Sequence, residues 1–182
     1  DIQRPFVWNT TKVRDLFDSI YRGYPVGYLL FWENITDRNR KDIGIDIKES
    51  NAKNLIIDGQ QRLTALFSTI KGIPIIDENY KEKRIKIAFN PLKEKFEVSN
   101  VATDKDVEYI TDISILFKPD FSEYRFINEY LNRLKENQEV TSTTEEMVSE
   151  NITHLRSILG YDFTILEIAE NVDEETVANI FV

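Results

Sequence analysis

Apolar positions recur along the chain with two different periods, and each period marks an element. Val13, Leu16, Phe17 and Ile20 follow one another at i, i+3, i+4 and i+7, the stripe of an amphipathic helix, with start signals in Asn9, Thr10 and Thr11. The helix should end near Gly23, and Tyr24-Pro25 breaks the chain before Val26 to Trp32, a β-branched and aromatic run suited to a strand. Leu55–Asp58 reads as a second, buried strand. It runs through Gly59 into a helix carrying Leu63, Leu66, Phe67 and Ile70 on one face, which leaves Gln61 turned away from the core and Arg62 on the flank; Gly72 and Pro74 stop it. Between the two strands, residues 34–53 are polar, with Ile43, Ile45 and Ile47 alternating, so either a long loop or a loop with a short edge strand fits.

Further along, Arg84 to Phe89 alternates polar with apolar, Asn90-Pro91-Leu92-Lys93 makes a turn, and Lys95 to Val98 alternates again: a hairpin with one dry face. Lys81-Glu82-Lys83 reads as a solvated turn. From Tyr109 onward the period becomes helical, with helices expected at 112–117, 121–136 and 144–159, the last striped by Val148, Ile152, Leu155 and Leu159. His154 lies off that stripe and reads as a solvated helix residue. Residues 162–168 return to strand character, and Asp173-Glu174-Glu175 places acids at the start of a closing helix, where the dipole favours them. No internal repeat or low-complexity tract interrupts the pattern. Helices and strands therefore mix as an α+β fold.

Composition narrows the chemistry. The chain has 182 residues, 41% of them hydrophobic, enough to bury a core; its length fits one domain, alone or with a subdomain, and it has no apolar run near the about 18 residues of a membrane span. A soluble, cytoplasmic chain without a leader is expected. With no cysteine and a single histidine, thiolate chemistry, disulfides and zinc clusters are excluded. The triplets at Asn9, Asn34 and Asn151 match the glycosylation pattern by chance, since nothing indicates secretion. The formal charge of −9 is uneven: residues 1–72 carry +2 and residues 73–182 carry −11. A basic face that would grip duplex DNA over many phosphates is missing. The chain starts at Asp1 and stops inside an apolar run at Val182, so a fragment is expected.

The candidate chemistry sits at the second strand–helix junction. A helix start leaves backbone N–H groups unpartnered and carries partial positive charge, so an anion fits there. Gly59 lets a ligand approach the backbone, and Arg62 offers a planar cation suited to phosphate. Asp58 has two readings: an N-cap that satisfies the free amides itself, or a carboxylate that holds magnesium beside phosphate oxygens. Arg4 likewise reads either as a second phosphate ligand or as an ion-pair partner of Asp58.

Two segments, Gln3-Arg4-Pro5-Phe6-Val7-Trp8 and Ile57-Asp58-Gly59-Gln60-Gln61-Arg62-Leu63-Thr64, strongly resemble a bacterial family with the ParB/sulfiredoxin-like fold, the domain of the GmrS half of GmrSD-type, modification-dependent restriction endonucleases. Tyr24-Pro25-Val26-Gly27 and residues 173–182 are similar to it as well. The resemblance implies a ParB/sulfiredoxin-like mixed sheet with flanking helices and a helical insertion. Residues 1–100 would form the core, 101–160 a mainly helical subdomain, and 161–182 a strand and helix returning to the core. It also implies a regulatory domain of a phage-defence system that binds and hydrolyses a nucleoside triphosphate with Mg2+. Gln3, Arg4, Asp58, Gly59, Gln60, Gln61 and Arg62 would bind the nucleotide, Asp58 would hold the metal, and Asp58, Gln60, Gln61 and Arg62 would serve hydrolysis. Gln60 or Gln61 would orient the attacking water. Pro5, Phe6 and Trp8 would line the base or belong to the core. DNA would be met through the full-length protein, and a His-Asn-His nuclease module would lie downstream or on a partner chain. The sulfiredoxin cysteine has no counterpart here. The alternative is a non-catalytic DNA-sensing or partner-docking module of the same kind of system; a ParB-like partition clamp ranks below both, for want of a basic helix-turn-helix.

Overall fold

The computed structural model describes residues 5–33 and 54–179. Gln3, Arg4, the 34–53 segment and residues 180–182 lie outside these, and so do the expectations that fall on them. Helix α1 (Thr10–Tyr21) is capped by the Asn9 side chain, which accepts the Lys12 N–H, and it buries Val13, Leu16, Phe17 and Ile20 as the stripe requires. Strand β1 (Tyr28–Glu33) starts two residues later than the apolar run because Gly27 takes a positive φ of 87°. Strand β2 (Asn54–Asp58) pairs antiparallel to β1, with Leu30 opposite Asp58.

Helix α2 (Gln60–Lys71) differs from its expected orientation. Its buried residues are Ala65, Ser68 and Thr69, whereas Phe67 is exposed and Leu63, Leu66 and Ile70 are only partly covered. Small side chains on this face allow close packing on α1 and on the 3-10 turn Ile113–Phe117. Arg62, one turn before Ala65 and two before Thr69, also points inward, which the apolar pattern had placed on the flank. Next, β3 (Ile75–Ile76) and β4 (Glu82–Lys83) form a short ribbon, exposed except at the buried Ile75, where a plain turn was expected at residues 81–83, and Phe6 bridges in parallel to Asp77 beside it.

The expected hairpin forms as β5 (Ile87–Asn90) and β6 (Lys95–Val98), but β5 is buried at all four positions. Its second edge is occupied: Phe89 and Ile110 exchange both backbone hydrogen bonds, at 2.9 and 2.8 Å, so no side of this short strand is left to water. Helix α3 (Val101–Lys105), unforeseen in the pattern, is nucleated by a capping box between Asn100 and Thr103. Helices α4 (Glu123–Lys135) and α5 (Ser142–Ser157) pack on each other, and α5 gives way to a 3-10 turn, Ile158–Gly160, in which Ile158 is buried and Leu159 exposed. His154 is exposed, as its position off the stripe suggests, and its ring still makes two contacts. Its Nε2–H donates to the Tyr21 carbonyl at 2.8 Å and its ring stands edge-on to Tyr21, 4.4 Å between centroids.

Strand β7 (Thr164–Ile168) then joins β1 in parallel, with Tyr28 opposite Thr164, and α6 (Glu174–Asn179) follows, its first turn capped by the Asp173 carboxylate on the Thr176 N–H. The principal sheet has the order β2-β1-β7. One cluster of buried residues, among them Phe17, Phe89, Leu116, Tyr130 and Ile152, runs from α1 through the hairpin to α5, and Phe6 belongs to it. The fold is thus a mixture of six α-helices and small sheets among the described residues. None of those helices is long and apolar enough to cross a membrane.

Candidate functional site

Strand pairing assembles the site at one end of the β2-β1-β7 sheet. Because β2 runs antiparallel to β1 with Asp58 opposite Leu30, Gly59 follows β2 at the level of Leu29, two residues from Gly27, which precedes β1. The Arg62 guanidinium fills the space between them. A Cβ on Gly27 would lie 2.6 Å from Arg62 Nη1, and one on Gly59 would lie 2.3 Å from Leu29 Cδ2 and 3.5 Å from Arg62 Nη2. Both glycines have positive φ, 87° and 97°, so each position requires a residue without a side chain for both reasons.

Arg62 is held at two points. Nη1 donates to the Val26 carbonyl at 2.6 Å and Nη2 to Asp58 Oδ2 at 2.8 Å. The arginine side chain is 13% exposed and the aspartate 47%, so the cation is mostly enclosed while its partner carboxylate still meets water. An acceptor on each arm of the planar fork fixes its plane as well as its position.

Gly59, not Asp58, is the N-cap of α2, and no side chain caps the helix. Asp58 ends β2 and gives its carboxylate to Arg62, so the N-cap reading of Asp58 does not describe this junction. The first intrahelical bond runs from the Leu63 N–H to the Gly59 carbonyl. The first turn contains no acid and instead carries Arg62 at its third position. A cation there opposes the helix dipole, and Asp58 offsets it.

The two glutamines work as backbone clamps. Gln60 Nε2 donates to the Ile56 carbonyl at 2.7 Å, tying the helix back to β2. Gln61 accepts the Val7 N–H at 2.9 Å and donates to the Pro5 carbonyl at 3.0 Å, so a single amide group binds the N-terminal segment as a neighbouring strand would. Of the residues singled out in the sequence, Asp58, Gly59, Gln60, Gln61 and Arg62 are thus contiguous in space. Gln3 and Arg4 lie outside the described residues, immediately before the Pro5 that Gln61 holds. Phe6 is core, 6% exposed, and Trp8 packs partly buried against the core with Lys12 Nζ 4.4 Å from its ring centroid.

For the other half of the node, the resemblance marked Tyr24-Pro25-Val26-Gly27, but sequence reasoning gave that segment no role at the site. Val26 contributes through its carbonyl and so leaves no trace in side-chain chemistry. Gly27 could have been suspected as a glycine between a proline turn and a strand. Chemically, the junction offers a helix start that no side chain caps among the described residues, an enclosed cation and one half-exposed carboxylate. That set suits an anion accompanied by a single hard cation.

No curated protein matches the chain. The family described as the GmrSD restriction endonuclease, N-terminal domain, matches residues 1–182, the whole length. The chain therefore belongs to the family of GmrSD restriction endonuclease N-terminal domains, components of a phage-defence restriction system.

Proposed function

We propose that this domain binds a nucleoside triphosphate with Mg2+ at the start of α2 and that hydrolysis there regulates a modification-dependent restriction system. The observation that carries the reading is the first turn of α2: glycine-capped, free of acids, and backed by an enclosed arginine. The amides of Gly59, Gln60 and Gln61 receive the phosphates, and Arg62 adds positive charge beneath them. Asp58, half exposed beside Arg62, is the metal-binding carboxylate, and magnesium would there screen the phosphate from the aspartate and polarise it. Gln61 spends both ends of its amide on the N-terminal segment, so Gln60 is the glutamine we assign to orienting water. Gln3 and Arg4, which precede the anchored Pro5 in the sequence, are the further nucleotide-binding residues of this reading. We take the fold as a ParB/sulfiredoxin-like core with residues 101–160 as its helical insertion, working in the cytoplasm. DNA and a His-Asn-His nuclease module would be reached through the full-length protein or a partner chain.

A second reading has its own support. Arg62 already has two acceptors and Gln61 two partners, so the motif also reads as a structural node in a non-catalytic DNA-sensing or docking module. Calorimetric titration with each nucleoside triphosphate, with and without Mg2+, separates the two. Metal-dependent binding that weakens in Asp58→Asn supports the nucleotide reading; no heat at millimolar nucleotide, together with salt-dependent DNA binding in its absence, supports the second.

A further inference from the structure

Three segments arrive at the end of the sheet where Arg62 sits, and the site described above uses only two of them. The parallel pairing of β7 with β1, Thr164 opposite Tyr28, brings the lead-in to β7 alongside the lead-in to β1. Tyr161 caps the Ile158–Gly160 turn and stacks edge-on against Phe163, with centroids 5.0 Å apart. Its hydroxyl donates to the Tyr24 carbonyl at 3.1 Å and accepts the Val26 N–H at 3.4 Å. One phenol therefore grips the chain on both sides of Pro25.

Val26 is also the residue whose carbonyl takes Arg62 Nη1. That carbonyl belongs to the peptide joining Val26 to Gly27, and glycine offers little resistance to rotation. Its direction must be set from upstream, where Tyr161 binds. A continuous path thus runs from the Tyr161 hydroxyl through Val26 to Arg62 and on to Asp58, across more than half the sequence.

We infer that Tyr161 is a positioning residue for Arg62: its hydroxyl holds the Tyr24–Val26 segment so that the Val26 carbonyl aims the guanidinium at the first turn of α2. The role assigned to Tyr161 is positioning, not ligand contact. The consequence for binding rests on the nucleotide reading above, whereas the positioning rests on the hydrogen bonds alone.

Tyr161→Phe keeps the ring and its stack and removes only the hydroxyl. Tyr130→Phe is the matched control, deleting a buried hydroxyl bond to the Glu108 carbonyl at 2.7 Å, far from the site in the hydrogen-bond network. Two readouts apply to the full chain: rotation of the Arg62 guanidinium by side-chain 15N NMR, and affinity for magnesium triphosphate. In Tyr161→Phe the guanidinium should rotate faster and Kd should rise about fivefold, the worth of one ordinary hydrogen bond, while Tyr130→Phe matches the wild type in both. An Arg62 as hindered as in the wild type, or an affinity within about twofold of it, overturns the inference. If the wild type binds no triphosphate, the nucleotide reading fails by itself, and guanidinium rotation alone then decides for or against Tyr161.

Discussion

At the scale of single residues, Arg62 shows how one side chain can serve stability and chemistry together. Its two bonds, to a carbonyl and to a carboxylate, are charge-assisted, and the side chain is only 13% exposed. Arg62→Lys keeps the charge but cannot reach both acceptors with a planar fork, so it should cost roughly 2 kcal/mol in urea unfolding, in keeping with loss of hydrogen bonds to charged groups. A cost no larger than that of a surface substitution would show that the two bonds are dispensable. The glycines around it are constrained by space as well as by φ. Gly27→Ala would push its methyl to 2.6 Å from Nη1, and at φ 87° the backbone is strained too. A loss of about 1–3 kcal/mol is expected, readable as a drop in urea midpoint.

At the scale of elements, the local patterns carried well and the long-range ones did not. Helix α1 was legible because its cap, Asn9, and its stripe all lie within twelve residues. Asn9→Ala should accordingly cost about 1 kcal/mol, measured by thermal or urea unfolding. The β5–β6 hairpin was legible for the same reason, but not the burial of Ala88 and Asn90, which depends on Ile110 arriving at the second edge of β5. The rotation of α2 escaped the apolar pattern because a polar residue, Arg62, faces inward to meet Val26 and Asp58. Periodicity counts such a residue as solvent-facing. For the candidate site, the contiguous motif 58–62 could be read directly, whereas the Val26 carbonyl and Tyr161 become partners only through strand pairing. The Gln61 clamp belongs to this scale as well. In Gln61→Ala the Val7 amide loses its acceptor, so its hydrogen exchange should accelerate by at least about tenfold while that of the α5 amides is unchanged. Equal exchange in both proteins would mean that the clamp does not hold the segment.

At the scale of the whole molecule, one core joins the first hundred residues to the helices that follow, and ion pairs bind its surface at several places. Glu108 is held below the ordinary carboxylate range by hydrogen bonds from Lys93 and Asn90, and Glu123 by those from Thr153 and Arg156. Each folded value is lower than the unfolded one. The stabilisation is therefore complete above the ordinary glutamate value of about 4.3 and is lost as pH falls through the folded values. Glu108→Gln should lower the urea midpoint near pH 7 and flatten its fall towards about pH 3; an unchanged acid limb would contradict the assignment. The start of α2, capped by glycine and backed by Arg62 in a chain of net charge −9, is the feature on which the functional account turns. Its most direct test is a titration of the 15N-labelled protein with magnesium and a nucleoside triphosphate, followed by amide NMR. The account predicts saturable shifts that are largest at Gly59, Gln60 and Gln61; amides there that stay still at millimolar nucleotide, or shifts concentrated elsewhere, would contradict it.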